Sequence, residues 1–253
     1  MADLSRNDAG LRELALFAGA GGGILEGHLL GWRTVCAVEW EPYAASVLVQ
    51  RQNDGILPSF PIWDDVQTFD GKPWRGIVDV VSGGFPCQDI SAAGKGDGLD
   101  GQRSGMWQHM ARIVGEVRPR YVFVENSPIL TSRGLDRVLG DLAKLGFDAR
   151  WGVLGAGHIG ASHARQRIWL VASDPSQKRL QGCQFKGSKA AGISIERMAA
   201  RSIFPRSQDD IPEPLVLGAG NGMANRMDRT AALGNGQVPA VAATAWNLLT
   251  ENI

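Results

Sequence analysis

Apolar residues along the chain fall into strand-length and helix-length runs that alternate, with glycine or polar clusters at the joints. Leu11–Phe17 reads as a buried strand, followed by the turn Ala18-Gly19-Ala20-Gly21-Gly22-Gly23 and an apolar helix over Ile24–Leu30. Thr34–Val38 reads as a second strand closed by Glu39. The helix over Pro42–Arg51 then carries proline in its first turn, where a missing N–H costs little. A strand over Ile77–Ser82 runs into Gly83-Gly84-Phe85-Pro86-Cys87-Gln88, and a helix over Met106–Val117 leads to the strand Tyr121–Val124, which delivers Glu125 and Asn126. A helix over Leu135–Leu145 and strands around Arg150–Leu154 and Ile168–Ala172 complete the pattern. The core ends near Asp174, and apolar spacing returns only at Val238–Leu249, a helix expected to pack back on the first domain.

Strand, glycine turn, helix, strand and acidic residue stand in the order of a Rossmann-like nucleotide site. The fold class expected is therefore α/β, with a doubly wound, mostly parallel sheet. Three parts are expected: a catalytic domain over 1–173, a short basic region over 174–228, and a C-terminal segment over 229–253. No internal repeat or heptad pattern is visible.

Composition narrows this picture. With 253 residues, 44% hydrophobic and 21% charged, the chain can bury the core of one compact domain with a small appendage. Its 33 glycines cluster where strands meet loops. Gly94–Gly105 holds five of them beside Lys95 and Arg103, a stretch suited to a mobile lid. Three cysteines, Cys36, Cys87 and Cys183, suggest neither a disulfide framework nor a zinc site, and a reducing, cytoplasmic setting in a bacterial host fits. The N-terminal Met1–Gly10 is polar, and no apolar run reaches membrane-spanning length, so a soluble protein with no membrane partner is expected. The formal net charge of zero and pI near 6.9 argue against a large non-specific nucleic-acid surface. That average hides a stretch between Pro175 and Gln208 with seven basic residues and one acid, Glu196. A phosphate-contacting patch and a solvated insert account for it equally well.

The candidate chemistry sits at the strand ends. A glycine turn alone is weak evidence for a ligand, but Glu39 can accept both hydroxyls of a ribose and Trp40 offers a flat face for adenine. The spacing G-x-G-x-x-G is not met cleanly, so a nucleoside-sized ligand without pyrophosphate is preferred over a dinucleotide. Cys36 reads as a small buried hydrophobe. Cys87 differs: it follows a proline at the end of an apolar strand and opens a glycine-rich loop, where a thiol can lie near backbone donors that favour the thiolate. Glu125 could be a surface or capping acid, yet with Asn126 after four apolar residues it points to a site. Arg165 and Arg167 lie two apart at a strand start, facing one side, able to grip an anion or carbonyl.

Together these residues resemble the DNA (cytosine-5) methyltransferase family, particularly its compact phage and prophage members. The resemblance covers residues 11–172 and 229–249. It implies S-adenosylmethionine as methyl donor, S-adenosylhomocysteine as product, double-stranded DNA as partner, and no metal. In it, Phe17, Ala18, Gly19, Gly21 and Gly22 form the cofactor loop, Glu39 and Trp40 contact ribose and adenine, and Asp65 and Val66 hold the adenine edge. Asn235 and Gly236, within Leu233-Gly234-Asn235-Gly236-Gln237-Val238, close over the methionine part. The nucleophile motif implies that Cys87 adds to cytosine C6, Glu125 engages N3, Arg167 holds O2 with Arg165 in support, and Pro86 and Asn126 shape the loop. Gln88, Ser91 and Arg103, with Lys178, Arg179, Lys186 and Lys189, are expected to face DNA.

Two departures stand out. Only some fifty-five residues separate Asp174 from Arg229, whereas family members insert a larger target-recognition domain. His163 stands where the family has the first glutamine of Q-x-R-x-R. Rival readings are an RNA cytosine-5 methyltransferase, acting on transfer RNA, a non-catalytic DNA-binding relative, and a nicotinamide-dependent oxidoreductase that leaves Pro86-Cys87-Gln88 unexplained. A monomer is the default.

Overall fold

The computed structural model describes residues 10–86, 105–161, 165–177 and 236–251. Seven strands form one sheet: β1 (Arg12–Leu16), β2 (Arg33–Val38), β3 (Ile62–Trp63), β4 (Val80–Gly83), β5 (Tyr121–Asn126), β6 (Asp148–Gly155) and β7 (Gln166–Ser173). The helices among the described residues are α1 (Gly22–Leu29), α2 (Pro42–Asn53), α3 (Met106–Val117), α4 (Leu135–Lys144) and α5 (Pro239–Thr250). Strand order is β3-β2-β1-β4-β5-β7-β6. All pairs are parallel except those of β7, which runs antiparallel to both β5 and β6. The expected α/β, mostly parallel sheet is thus the fold of this chain.

Side chains alternate across the sheet as the pleat requires. Leu14, Leu16, Val81, Val122, Val124, Ile168 and Leu170 face one layer, where α3 supplies Trp107, Met110, Ile113, Val114 and Val117 at helical spacing. Val80, Phe123, Trp169 and Val171 face the other, against Val241, Ala242, Ala245 and Trp246 of α5. Trp246 stacks edge-on against Trp32, with ring centroids 4.6 Å apart, and against Phe123 and Tyr121. The small residues Ala242 and Ala245 let α5 lie close to the sheet.

The chain order reverses between β1 and β4: one half winds outward through β2 and β3, the other through β5. Such a switch point leaves a crevice at the carboxyl ends of the two strands. It brings the loop after Leu16 beside the loop after Gly83. The sequence pattern placed a strand start at Ile77, but Ile77 and Val78 both donate backbone N–H groups to the Trp74 carbonyl in a turn. The strand therefore begins at Val80.

Candidate active site

The turn after β1 is built from backbone that side chains disfavour. Phe17 has φ 52°, Gly19 55° and Gly21 89°, all in the left-handed region where glycine is free of strain. A Cβ on Gly22 would meet the Gln237 carbonyl oxygen at 2.8 Å, so the turn lies hard against the segment leading into α5. Gly21 caps α1, and no side-chain hydrogen bond caps this terminus. The first-turn N–H groups are thereby left for an anion at the positive end of the helix.

Glu39 follows β2 and locks onto this turn. Its Oε2 accepts from the Gly19 N–H at 2.6 Å and its Oε1 from the Glu41 N–H at 2.7 Å. Burial raises its pKa, and these N–H donors oppose the shift. Each oxygen keeps a second lone pair, which suits the two hydroxyls of a ribose. Trp40 beside it is 72% exposed, an unusual state for a large aromatic ring. Asp65 Oδ1 accepts from the Gln67 N–H at 2.8 Å, and Arg112 of α3 donates to the Val66 carbonyl at 2.9 Å, fixing this loop from behind.

The second wall is the loop after β4. A Cβ on Gly83 would lie 2.9 Å from the Leu16 carbonyl oxygen, and one on Gly84 would lie 2.6 Å from Glu125 Oε2. Only glycines allow these strands and the carboxylate so close. Phe85 is buried against Trp107, with ring centroids 5.5 Å apart. Asn126 donates from Nδ2 to the Phe85 carbonyl at 3.0 Å and accepts at Oδ1 from the Ser127 N–H at 2.8 Å. A buried amide with both ends satisfied fixes the backbone immediately before Pro86.

Glu125, the penultimate residue of β5, has its Oε1 2.8 Å from Arg167 Nε. Burial raises its pKa; Arg167, Arg165 and hydrogen bonds from Arg167 and Gln237 oppose the rise. Burial prevails, so the carboxyl takes a proton more readily than an ordinary glutamate. Arg165, with φ 27°, precedes β7 and donates to the Gly236 carbonyl. The two arginines thus divide: Arg167 reaches the carboxylate, while Arg165 ties the α5 approach to the site and lowers the proton affinity of Glu125 through its charge.

One cleft of about 840 Å³ gathers Phe17, Ala18, Gly19, Gly22, Glu39, Trp40, Asp65, Val66, Pro86, Glu125, Asn126, Arg167 and Gly236. Gly21 and Arg165 are not among its lining residues. Cys87, Gln88, Ser91, Arg103, Lys178, Arg179, Lys186, Lys189 and Asn235 lie outside the described residues. Gln237, which the sequence singles out only as part of the last motif, also lines the cleft. Its signal was a polar amide between Gly236 and Val238. Cys36 is buried and its thiol is pushed up to about 11, which removes it as a nucleophile. Among the described residues no group of three or more His, Cys, Asp or Glu could hold a metal ion, and no helix is long and apolar enough to cross a membrane.

The donor set fits S-adenosylmethionine: an exposed aromatic face, a carboxylate with free lone pairs, and an uncapped helix N-terminus for the carboxylate of the methionine part.

The family model for C-5 cytosine-specific DNA methylases matches residues 11–214. The type II methyltransferase M.CviJI of Paramecium bursaria Chlorella virus IL3A is 32% identical over 163 residues, covering 64% of this chain and 42% of that protein. The type II methyltransferase M.HhaI of Haemophilus parahaemolyticus is 32% identical over 166 residues, covering 64% and 49%. The structure of the Entamoeba histolytica methyltransferase EhMeth superposes with a TM-score of 0.56 at 16% identity, over 69% of this chain and 56% of that one, a likeness of fold. The chain spans half or less of the length of these curated relatives. With the family model matching most of its length, from β1 past β7, this chain belongs to the C-5 cytosine-specific DNA methylase family.

Proposed function

We propose that the chain transfers a methyl group from S-adenosylmethionine to C5 of a flipped-out cytosine in duplex DNA. The observation that carries this reading is the shared cleft, where the glycine turn, Glu39 and Trp40 face Pro86, Glu125, Asn126 and Arg167. S-adenosylmethionine supplies a methyl group on a positively charged sulfur. Cytosine C5 is a poor nucleophile until something adds at C6. In this reading the Cys87 thiolate adds there, and Glu125 donates a proton to N3 so that electron density collects on C5. Arg167 holds O2 and keeps Glu125 oriented, with Arg165 in support. C5 takes the methyl group as the sulfur–methyl bond breaks and S-adenosylhomocysteine remains; a base then removes the C5 proton, the Cys87 thiolate leaves C6, and N3 returns its proton to Glu125, which restores the aromatic ring. The target base must leave the stack, at a cost of a few kcal/mol offset by the pocket. Gln88, Ser91 and Arg103 serve the DNA, and so do the basic residues Lys178, Arg179, Lys186 and Lys189 of a short target-recognition region over 174–228. The setting is the cytoplasm of a bacterial host.

Labelled methyl transfer from S-adenosylmethionine to duplex DNA, with transfer RNA in parallel, tests the reading. Labelling of DNA that vanishes in Cys87→Ala supports it. Labelling of RNA alone moves the substrate to RNA, and intact DNA binding without labelling makes the chain a non-catalytic relative.

A further inference from the structure

Gln237 stands where the two halves of the cleft meet, one residue into the approach to α5. Its backbone lies against the glycine turn, since a Cβ on Gly22 would be 2.8 Å from its carbonyl oxygen and 3.0 Å from its nitrogen. Its side chain reaches further. A Cβ on Gly23 would meet Gln237 Oε1 at 2.9 Å, and one on Gly84 would meet Gln237 Nε2 at 3.2 Å and Glu125 Oε2 at 2.6 Å. The carboxamide therefore spans from the start of α1 to the loop after β4, where its Nε2 and the Glu125 Oε2 crowd the same side of Gly84. Only the Nε2 end can donate to a carboxylate, which fixes which end faces Glu125. The preceding residue is held from the opposite side, where Arg165 donates to the Gly236 carbonyl.

We propose that Gln237 is a positioning residue: its carboxamide ties the methyl-donor turn to Glu125 and holds that carboxyl in the orientation used on the base. The assignment rests on the function proposed above. A hydrogen bond to a carboxylate favours its charged form, so loss of the amide raises the proton affinity of Glu125.

Gln237→Met keeps length and removes the donor; Gln237→Glu keeps shape and sets a second carboxyl against Glu125. The carbon-13 signal of the Glu125 side-chain carboxyl is titrated in the full chain and both variants, with melting temperature as a check on folding. Its midpoint is expected to move to higher pH in both variants, further in Gln237→Glu. In transfer assays kcat is expected to fall about tenfold in Gln237→Met, while KM for the donor changes less than about threefold. An unmoved midpoint in either folded variant overturns the proposal, whatever the rate does. Wild-type chain that transfers no methyl group overturns the functional reading instead, and the titration still decides whether Gln237 governs Glu125.

Discussion

Arg167 Nε meets Glu125 Oε1 at 2.8 Å across the antiparallel junction of β5 and β7. The reversal of β7 makes the contact possible. In a parallel sheet, strand carboxyl ends share one edge; a reversed strand brings its amino-terminal residues to that edge instead. Asn126 pairs with Ile168 in register, so the next residue back, Arg167, lands beside the end of β5.

Removing the guanidinium leaves a mostly buried carboxyl without its strongest partner. Arg167→Leu is expected to lower stability by about 2 kcal/mol, less than for a fully buried pair because Arg167 retains some exposure. It should also lower methyl transfer by about a hundredfold or more, the scale of losing an oriented charge at a reacting centre. Chemical denaturation and steady-state kinetics check the two together. Transfer at wild-type rate would remove Arg167 from the chemistry.

Asn126 makes a different prediction. Its amide holds the Phe85 carbonyl and the Ser127 N–H while being 2% exposed. Asn126→Ala leaves both backbone groups without a side-chain partner, at about 1–3 kcal/mol. The loss should be seen in thermal unfolding and in kcat, because the backbone before Pro86 is no longer stapled to β5. Asn126→Asp keeps the acceptor for Ser127 but not the donor for Phe85, so it should recover only part of the stability.

On the donor side, Gly22→Ala drives a methyl group into the Gln237 backbone at 2.8 Å, and backbone cannot move aside cheaply. Titration calorimetry should show S-adenosylmethionine binding weakened about tenfold or more, with Glu39→Ala weakened by a comparable factor. Donor binding unchanged in both variants would place the ligand elsewhere.

Two acids lie beneath the turn. Glu13 is fully buried and accepts from Thr34 Oγ1 at 2.7 Å and Ser82 Oγ at 2.6 Å; Glu26, at 1% exposure, has its Oε1 without a partner among the described residues. Burial raises the pKa of both, and for Glu26 the charge of Glu13 adds to the rise. The folded state thus binds more protons than the unfolded chain. This contribution to stability is fully present below the ordinary carboxyl pKa and is lost as pH rises through the folded-state value. Melting temperature between about pH 5 and pH 8 should decline with a slope that Glu26→Gln flattens, and at neutral pH this variant should melt about 2–4 °C higher. An equal shift at every pH would mean that Glu26 is not titrating.

Much of this was readable in the chain because the signals were local. Met106–Val117 is a helix with the bounds its apolar spacing predicts, and the glycine turn after β1 needs backbone that only its own residues determine. Glu39, Glu125 and Asn126 could be placed because each directly follows or ends an apolar strand. The reversal of β7 was not readable: Ile168–Ala172 is apolar on both faces in either direction. Nor was the reach of Gln237 to Glu125, two residues separated by more than a hundred positions. Glu13 and Glu26 sit inside apolar runs, and nothing in local spacing distinguishes a buried acid from an exposed one.

The most direct test of the account is covalent trapping. Duplex DNA in which 5-fluorocytosine replaces cytosine, incubated with the full chain and S-adenosylmethionine, presents a C5 substituent that cannot leave as a proton does. The account predicts a complex that survives denaturing electrophoresis, maps to Cys87, and is absent in Cys87→Ser. Methyl transfer to ordinary DNA without any such complex, or an adduct on another residue, would contradict it.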